Sequence, residues 1–407
     1  MRTTCAILLG VFLAACGSGG PGADVAPAPR VTAPLPGDNY AYVYEEAGSL
    51  GHYDTRTARN DATALGVREL LASAAAPAGS GVAVGYGTAD STLVVVVRTG
   101  SAELERVYAG PAGGSVTLAW SGDGARLGVG VRGGQGGVFV LEADGTTRDV
   151  GCRAANGFEA WRTASEAIVH DGVNFYTVRV TDCATLATFS RAGKSDIRFA
   201  PNGSRVSYFV EREAQFRNRT GTEVIPELWI AGHDGSGARK VADYQGRPQN
   251  ARWSPDGRRI AYEVVSLRWA NTLHVITYEV ASESFSYIAE EKQLGVPSDF
   301  GVCWSPDGRR FAHERLYARS TGAQPYTTRQ VVVREGDVER VVFDEVIDEP
   351  AARVAADRPA RCRWADATHV LLDTRRGERI VDVTGENVHQ FPPARHVLGV
   401  HLVPVER

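Results

Sequence analysis

The stretch Trp253–Arg259 reads Trp-Ser-Pro-Asp-Gly-Arg-Arg, and the stretch Trp304–Arg310 repeats it letter for letter. Pro presets the backbone angle φ, Asp accepts a backbone hydrogen bond and Gly supplies a positive φ, so Ser-Pro-Asp-Gly predicts a tight turn. Short apolar runs follow both copies, at Arg259–Tyr262 and at Arg310–His313. We therefore expect each copy to connect two antiparallel strands.

Four further segments match this motif in a degraded form, which makes the chain an internal repeat. The aromatic anchors of the six copies are separated by 41, 38, 54, 51 and 60 residues. A four-stranded propeller blade takes about 40–45 residues, and more when its loops are long. We expect each anchor to be an apolar wedge against the next blade. The anchor and turn residues are Trp120, Asp123, Gly124, Trp161, Phe199, Pro201, Asn202, Gly203, Trp253, Pro255, Asp256, Gly257, Trp304, Pro306, Asp307, Gly308 and Trp364.

This repeat resembles the TolB-like β-propeller repeat, which is related in architecture to WD-repeat propellers, and the resemblance is strongest over residues 115–375. It implies an all-β fold, with residues 38–407 forming one propeller. We predict eight four-stranded blades; seven is the alternative, because the unit at 80–110 is weak. The last strand, at 397–403, is predicted to be the inner strand of a blade completed by residues 40–75, which closes the ring. A short helix is the alternative for the Ala/Leu-rich segment 61–76.

The first residues have the pattern of an export signal. Arg2 precedes an apolar run that is too short to span a bilayer, and the run ends in Leu13–Cys16, Leu-Ala-Ala-Cys. This resembles the bacterial lipobox, which predicts a signal peptide at 1–15 and a lipidated Cys16; an ordinary secretory signal is the alternative. Residues 16–37 are rich in Gly, Ser, Ala and Pro, which is typical of a flexible tether.

Export favours disulfides, because the compartment is oxidising. Without the signal peptide and Cys16, four cysteines remain, and four allow three pairings. Their proximity along the chain favours Cys152–Cys183 and Cys303–Cys362.

Composition and motifs argue against several classes of function. The formal net charge is −4, which does not suggest a nucleic-acid surface. The Gly-rich stretch Gly133–Gly137 lacks the Lys-Ser/Thr of a phosphate loop and fits a hairpin loop. No Cys/His spacing suggests zinc, and the nine histidines are scattered, so we predict no metal and no cofactor. The acidic group Asp344, Glu345, Asp348 and Glu349 is interpreted as a solvated loop between blades, with calcium binding as the alternative.

Three successive units are longer than a minimal blade. The surplus lies between the second and third strands, at 211–227, 266–271 and 316–328, and in a propeller these loops share the face opposite the Ser-Pro-Asp-Gly turns. The loops are rich in Arg, Trp and Tyr, side chains that often dominate interface energetics. We predict a docking ridge, with solvated hairpin tips as the alternative. Its candidate residues are Arg217, Arg219, Arg268, Trp269, Tyr317, Arg319 and Tyr326.

The sequence therefore predicts a non-enzymatic, membrane-anchored binding protein of the bacterial cell envelope. Its partner would be an envelope protein, a peptide or a glycan, and the chain is expected to be a monomer that meets the membrane only through its lipid. Gly17, rather than Asp, follows the cysteine, which favours the outer membrane. The alternative is a propeller enzyme of the lactonase or lyase type with a site at the central channel, because propellers host both binding and catalysis.

Overall fold

The computed structural model is built of β-strands throughout its described part. None of these residues forms a helix long and apolar enough to cross a membrane. The predicted signal peptide and tether lie outside this part. The described residues are 40–54, 57, 59–77, 81–98, 103–133, 136–152, 155–215, 222–241, 246–266, 273–287, 298–321, 324–347, 362–374, 377–385, 388–391 and 396–402.

The strands group into eight four-stranded sheets, which are the blades of the propeller. Blade 1 contains β1 (Tyr40–Glu46), β2 (Ser49–Asp54), β3 (Arg59–Ala64) and the last strand, β32 (His396–Leu402). Blade 2 contains β4 (Glu69–Ala75), β5 (Gly81–Gly87), β6 (Ser91–Arg98) and β7 (Leu104–Pro111). Blade 3 contains β8 (Ser115–Trp120), β9 (Leu127–Arg132), β10 (Gly137–Leu141) and β11 (Thr147–Asp149). Blade 4 contains β12 (Gly157–Trp161), β13 (Glu166–His170), β14 (Asn174–Arg179) and β15 (Thr185–Ser190).

The second half of the ring follows the same plan. Blade 5 contains β16 (Ser195–Phe199), β17 (Arg205–Gln215), β18 (Thr222–Gly232) and β19 (Arg239–Lys240). Blade 6 contains β20 (Gly246–Trp253), β21 (Arg259–Ser266), β22 (Leu273–Glu279) and β23 (Ser284–Tyr287). Blade 7 contains β24 (Ser298–Trp304), β25 (Arg310–Thr321), β26 (Gln324–Glu335) and β27 (Val338–Ile347). Blade 8 contains β28 (Arg363–Trp364), β29 (His369–Thr374), β30 (Gly377–Asp382) and β31 (Val388–Gln390).

Both faces of a blade are covered by neighbouring blades, which explains the composition of the middle strands. In β6 the run Val94–Val97 is buried without alternation, as expected for a strand that packs on both sides. β-Branched residues suit this environment, because they pack well on a pleated surface. The core is therefore divided among the seams between blades rather than concentrated at one centre.

The ring closes where the two chain ends pair, as the sequence predicts. β32 is the inner strand of blade 1 and pairs antiparallel with β1, from Tyr40 opposite Leu402 to Glu45 opposite His396. This pairing gives β1 a neighbour on each side, so neither chain end leaves an open inner edge. The predicted eight blades are confirmed, and the seven-blade alternative is wrong.

Two predictions for the first hundred residues need correction. The possible helix at 61–76 is wrong, because these residues contribute to β3 and β4. The blade expected at 40–75 ends at Ala64, and 69–75 is instead the inner strand of blade 2. The weak unit at 80–110 is therefore a full blade whose inner strand lies further upstream than expected.

The Ser-Pro-Asp-Gly segments form the predicted turns. In blade 6, Gly257 has a φ of 67° and donates its N–H to the carbonyl of Ser254 at 2.9 Å. The Ser254 hydroxyl donates to Asp256 at 2.6 Å and accepts from the Arg259 amide at 2.9 Å. Burial raises the pKa of Asp256, but the Ser254 and Arg258 hydrogen bonds and the arginine charges outweigh it and hold the pKa below its usual value. The motif is thus a closed network that sets the end of β20 against the start of β21.

The aromatic anchors pack between blades, but against the preceding blade rather than the next one. Each Trp anchor donates its indole N–H to a main-chain carbonyl on the inner strand of the blade before it. Phe199, which has no donor, instead stacks on Phe175 at 5.0 Å between ring centroids. The five indole bonds are Trp120 to Ala74 (2.9 Å), Trp161 to Ala119 (3.0 Å), Trp253 to Arg198 (3.0 Å), Trp304 to Arg252 (3.1 Å) and Trp364 to Cys303 (3.0 Å).

The second arginine of the motif crosses the same seams in the opposite direction, which the sequence did not reveal. Arg259 donates to the Gly308 carbonyl of the next turn and lies 4.8 Å from the Trp304 ring, within cation–π range. Arg310 likewise donates to the Ala367 carbonyl at 3.0 Å. Consecutive blades are therefore joined by an indole that points backward and a guanidinium that points forward.

Both predicted disulfides are present, and each joins neighbouring blades. Cys152 follows the last strand of blade 3 and binds Cys183, in the turn between β14 and β15 of blade 4. Cys303 on β24 of blade 7 binds Cys362, immediately before β28 of blade 8. The disulfides thus reinforce two of the seams.

Candidate functional site

Two long hairpins distinguish one side of the ring. β17 and β18 pair along 11 residues, and β25 and β26 pair along 12, whereas the corresponding strands of blades 1 to 4 have five to eight residues. The hairpins lie at the strand ends opposite the Ser-Pro-Asp-Gly turns. The surplus residues expected to be loops are therefore largely extensions of the second and third strands. We call the two hairpins, Arg205–Gly232 and Arg310–Glu335, the long hairpins.

The structure describes only three of the seven predicted docking residues. Arg217, Arg219, Arg268 and Trp269 lie outside the described residues. Tyr317, Arg319 and Tyr326 lie in strands, near the tip of the second long hairpin, where Arg319 is directly opposite Tyr326. The structure thus brings these three to one hairpin end.

Arg329, in the same stretch of sequence, is a structural residue. Its side chain is 5% exposed and makes two bonds of 2.7 Å to Glu314, a bidentate pair within blade 7. It also lies 3.2 Å from Glu345 and donates to the Asp373 carbonyl of blade 8 at 2.9 Å. A buried cation with this many acceptors holds a seam together and does not face a partner.

The predicted acidic loop is wrong for its described half. Asp344 and Glu345 belong to β27, opposite Gln330 and Arg329 of β26, and Glu345 is paired with Arg329. Asp348 and Glu349 lie outside the described residues. Within the described part of the chain no group of three or more His, Cys, Asp or Glu side chains is arranged to hold a metal ion.

One ion pair joins the first long hairpin to blade 6, and two more lie within blade 5. Arg247 on β20 lies 2.7 Å from Glu223 on β18. Glu227 binds Lys240 at 3.0 Å and Arg212 at 2.6 Å. These contacts bracket a small cleft between blades 5 and 6. It is lined by Ile225, Pro226, Glu227, Leu228, Lys240, Val241, Gly246, Pro248, Tyr262 and Val264.

A second polar region lies on the inner strands, which face the central axis. The four inner strands β12, β16, β20 and β24 each contain one irregularity in their pairing. It lies shortly before the aromatic anchor of the strand. Such bulges re-aim side chains and recur beside functional sites. In blades 4 to 6 polar residues lie at or beside these bulges, and we call them, together with His170 on the second strand of blade 4, the channel arc. It consists of Glu159, His170, Asp196, Arg198, Asn250 and Arg252.

Blades 4 and 5 each contribute an acid and a base in close contact to the channel arc. The Glu159 carboxylate lies 3.2 Å from Nε2 of His170, and the other ring nitrogen, Nδ1, is buried without a hydrogen-bond partner. On the next inner strand Arg198 donates to Asp196 at 2.8 Å. Asp196 has a φ of 42°, so the bulge is held in the left-handed region.

In blade 6 a buried carboxylate accepts hydrogen bonds from the residues of the bulge. Glu263 on β21 is 3% exposed and accepts from Gln249 at 3.0 Å and from Asn250 at 2.7 Å. Its other oxygen accepts the Gly301 amide of blade 7 at 2.7 Å. Asn250 and Gly301 both have positive φ, 51° and 71°. Glu263 thus fixes the bulges of two adjacent blades at once.

Arg252 is the remaining charged member of the arc. It is exposed to solvent, and its side chain makes one hydrogen bond, to the neighbouring Ala251 carbonyl at 3.0 Å. Surrounding protein and the charge of Arg198 lower the pKa of Arg252, against weaker opposing effects of Asp196 and Glu263. A side chain that water reaches and protein surrounds fits the wall of a narrow channel.

Sequence reasoning missed the channel arc, although a signal was available. Arg198 and Arg252 stand immediately before an aromatic anchor, where Ala119 and Ala160 stand in blades 3 and 4. A charged residue at a repeat position occupied elsewhere by alanine could have marked the site. His170 and Glu159 carried no such signal, because their contact depends on the bulge in β12.

Comparison with known proteins finds only remote structural similarity. No family model matches the sequence, and no curated protein matches it. Similar solved structures include a eukaryotic initiation factor, with a TM-score of 0.49 and 13% identity over 90% of this chain and 98% of that one. An oligogalacturonate lyase from Vibrio parahaemolyticus has a TM-score of 0.46 and 10% identity over 86% of this chain and 99% of that one. TolB from Acinetobacter baumannii has a TM-score of 0.36 and 12% identity over 86% and 82%. The propeller fold that the repeat predicted is confirmed by the eight four-stranded blades themselves.

Proposed function

We propose that this chain is a lipid-anchored, non-enzymatic binding protein of the bacterial cell envelope, a rigid ring on a tether with the lipid on Cys16. The observation that carries the proposal is the pair of long hairpins, which rise on either side of blade 6 on one face of the ring. Its partner would be an envelope protein, peptide or glycan. The Leu-Ala-Ala-Cys stretch at Leu13–Cys16 supports the anchor, and Gly17 supports the outer membrane.

The ring suits such a role because it fixes the hairpins before a partner arrives. The first long hairpin is tied to blade 6 through Glu223 and Arg247, and the second is tied to blade 8 through Arg329. A surface ordered in advance loses less conformational entropy on binding. Aromatic and arginine side chains near the tips would then supply the contact energy.

Metabolic labelling with palmitate tests the anchor. We expect the wild-type chain to incorporate label and Cys16→Ala to incorporate none, because only the cysteine after the signal is acylated. Cys5→Ala is the matched control, since Cys5 leaves with the signal peptide, and it should label like the wild type. Equal labelling of Cys16→Ala and wild type would refute the anchor.

Photo-crosslinking in intact cells tests the docking face. A photoreactive residue at Tyr326, near the tip of the second long hairpin, should give a discrete crosslinked product. The same residue at Val338, which is 66% exposed at the opposite end of blade 7, is the control and should give none. Trp269→Ala combined with Tyr317→Ala should reduce the Tyr326 product. Equal yields of crosslinked product from Tyr326 and Val338 would contradict the proposed docking face.

The channel arc favours a second candidate function, a propeller enzyme with its site at the axis. The observation behind it is the His170–Glu159 pair, because a histidine held by a carboxylate can act as a general base. Turnover of generic lactones by the purified protein, lost in His170→Ala, would support this candidate. Metal analysis of the same sample would test for a metal-dependent version.

A further inference from the structure

The acidic and basic side chains of the channel arc have close partners within the arc, with one exception. Glu159 is matched by His170, and Asp196 by Arg198. Glu263, behind the arc, is saturated by three neutral N–H donors. Among the described residues no carboxylate lies within ion-pair distance of Arg252, and its one bond to them, to Ala251, leaves most of its five N–H donors unused.

The backbone that carries Arg252 is held firmly on both sides. Its own carbonyl accepts the Trp304 indole at 3.1 Å, and the neighbouring Trp253 indole donates to the Arg198 carbonyl at 3.0 Å. Two residues earlier, Asn250 is fixed by Glu263. The guanidinium therefore starts from a preorganised strand, which lowers the entropy lost when it engages a ligand.

Arg252 is also placed where a ligand can reach it. It is the penultimate residue of inner strand β20, separated from the turn Ser254–Gly257 by Trp253, which places it toward the turn face of the ring. The long hairpins are at the opposite face. A ligand at Arg252 and a partner on the long hairpins would therefore not compete for the same surface.

From this placement we infer that Arg252 binds a carboxylate group of a ligand entering the channel from the turn face. The planar guanidinium matches a carboxylate in a bidentate geometry. Arg198 adds positive charge beside it, partly offset by Asp196. With two arginines against Asp196 and the buried Glu263, the surroundings do not favour a second negative charge on the ligand. A monovalent carboxylate therefore fits better than a phosphate.

Arginine-specific modification of the full-length protein tests this site without any substitution. Phenylglyoxal labelling, mapped by mass spectrometry, would follow Arg252 in acetate, in inorganic phosphate and in chloride at equal ionic strength. Arg258 is the internal control, because it is an exposed arginine in the adjacent turn. We expect acetate to slow labelling of Arg252 by about three-fold once it reaches about twice its dissociation constant, and to leave Arg258 unchanged.

A variant gives a second, independent measurement. Acetate should raise the melting temperature of the wild type and of Arg258→Ala above the chloride value, and this rise should vanish in Arg252→Ala. Arg252→Lys, which keeps the charge but lacks the planar fork, should retain only part of it. Equal labelling of Arg252 in acetate and chloride would overturn the proposal, as would protection by phosphate equal to that by acetate.

Discussion

The seam between blades 6 and 7 and the seam between blades 8 and 1, which closes the ring, are built from different parts. Between blades 6 and 7 the repeat motif supplies both links, the Trp304 indole and the Arg259 guanidinium. Between blades 8 and 1 the chain has no aromatic anchor, and Arg363 donates instead to the Val397 carbonyl at 2.8 Å. Glu378 accepts the Val397 amide and lies 3.0 Å from both Arg363 and His396.

The aromatic residues at the closing seam also differ from those of the repeat motif. Tyr42 of blade 1 lies edge-on to Phe391 of blade 8, with ring centroids 4.7 Å apart. The two meet in one apolar cluster with Val397 and Val400 of β32. The difference teaches that the repeat motif joins blades 6 and 7, whereas blade 8 meets blade 1 through other residues, and among these contacts Tyr42 with Phe391 links the two ends of the chain. Closure also brings together residues far apart in sequence, at a cost in loop entropy that local contacts do not have.

Removing β32 should have the largest effect on the stability of the ring. A chain that ends at residue 395 loses the inner strand of blade 1 and uncovers the blade 8 cluster around Phe391. We expect the cooperative unfolding transition, followed by circular dichroism, to disappear. A chain that ends at Leu402 keeps β32 and is the matched control. A cooperative transition in both would show that the closing seam is dispensable.

Replacing one glutamate with glutamine in each of the two seams should have the next largest effect on stability. Glu378→Gln weakens charge-assisted bonds to Arg363, His396 and Val397, and should lower the free energy of unfolding by about 1–3 kcal/mol. Glu263→Gln, at the seam between blades 6 and 7, has only neutral donors and should cost less. Urea titrations of both variants measure the difference. A larger loss in Glu263→Gln would reverse the expected order.

Replacing an aromatic anchor with phenylalanine should have a smaller effect. Trp253→Phe keeps much of the apolar wedge but removes the donor to the Arg198 carbonyl, which should cost about 1 kcal/mol in unfolding free energy. Trp253→Ala should cost about 3–5 kcal/mol, because it also leaves a cavity. Phe199 shows that the ring accepts a seam without this bond. Equal losses in the two variants would mean that the hydrogen bond, not the wedge, dominates.

Lowering the pH should have the smallest effect on the free energy of unfolding. Hydrogen bonds from Ser254 and Arg258, acting against burial, hold the pKa of Asp256 below its unfolded value of about 3.9. Its contribution to stability is therefore complete above that value and is lost as the pH falls through the lower folded pKa. Asp256→Asn should flatten the acid limb of the stability curve, measured by urea titration at successive pH values. An unchanged acid limb would contradict this assignment.

Much of the fold could be read from local signals. The turns around Gly257 and Gly308 need their residue types for local backbone reasons, and the spacing of the anchors gave the size of a blade. The degraded start of the chain hid the inner strand of blade 2, because residues 69–75 carry no motif. The long hairpins were located but mistaken for loops, since polar strand extensions lack the apolar alternation that marks a strand.

The sequence by itself determined the blade, its turns, its aromatic wedges and both cysteine pairs, because each depends on residues within one or two repeats. Only the tertiary structure decided the rest: which way the indoles point, how the second arginine of each motif reaches the next turn, and where Arg252 stands without a counter-charge. These depend on side chains from separate blades meeting at seams and at the axis. Their distances are set by closure of the whole ring, and no local stretch of sequence contains that information.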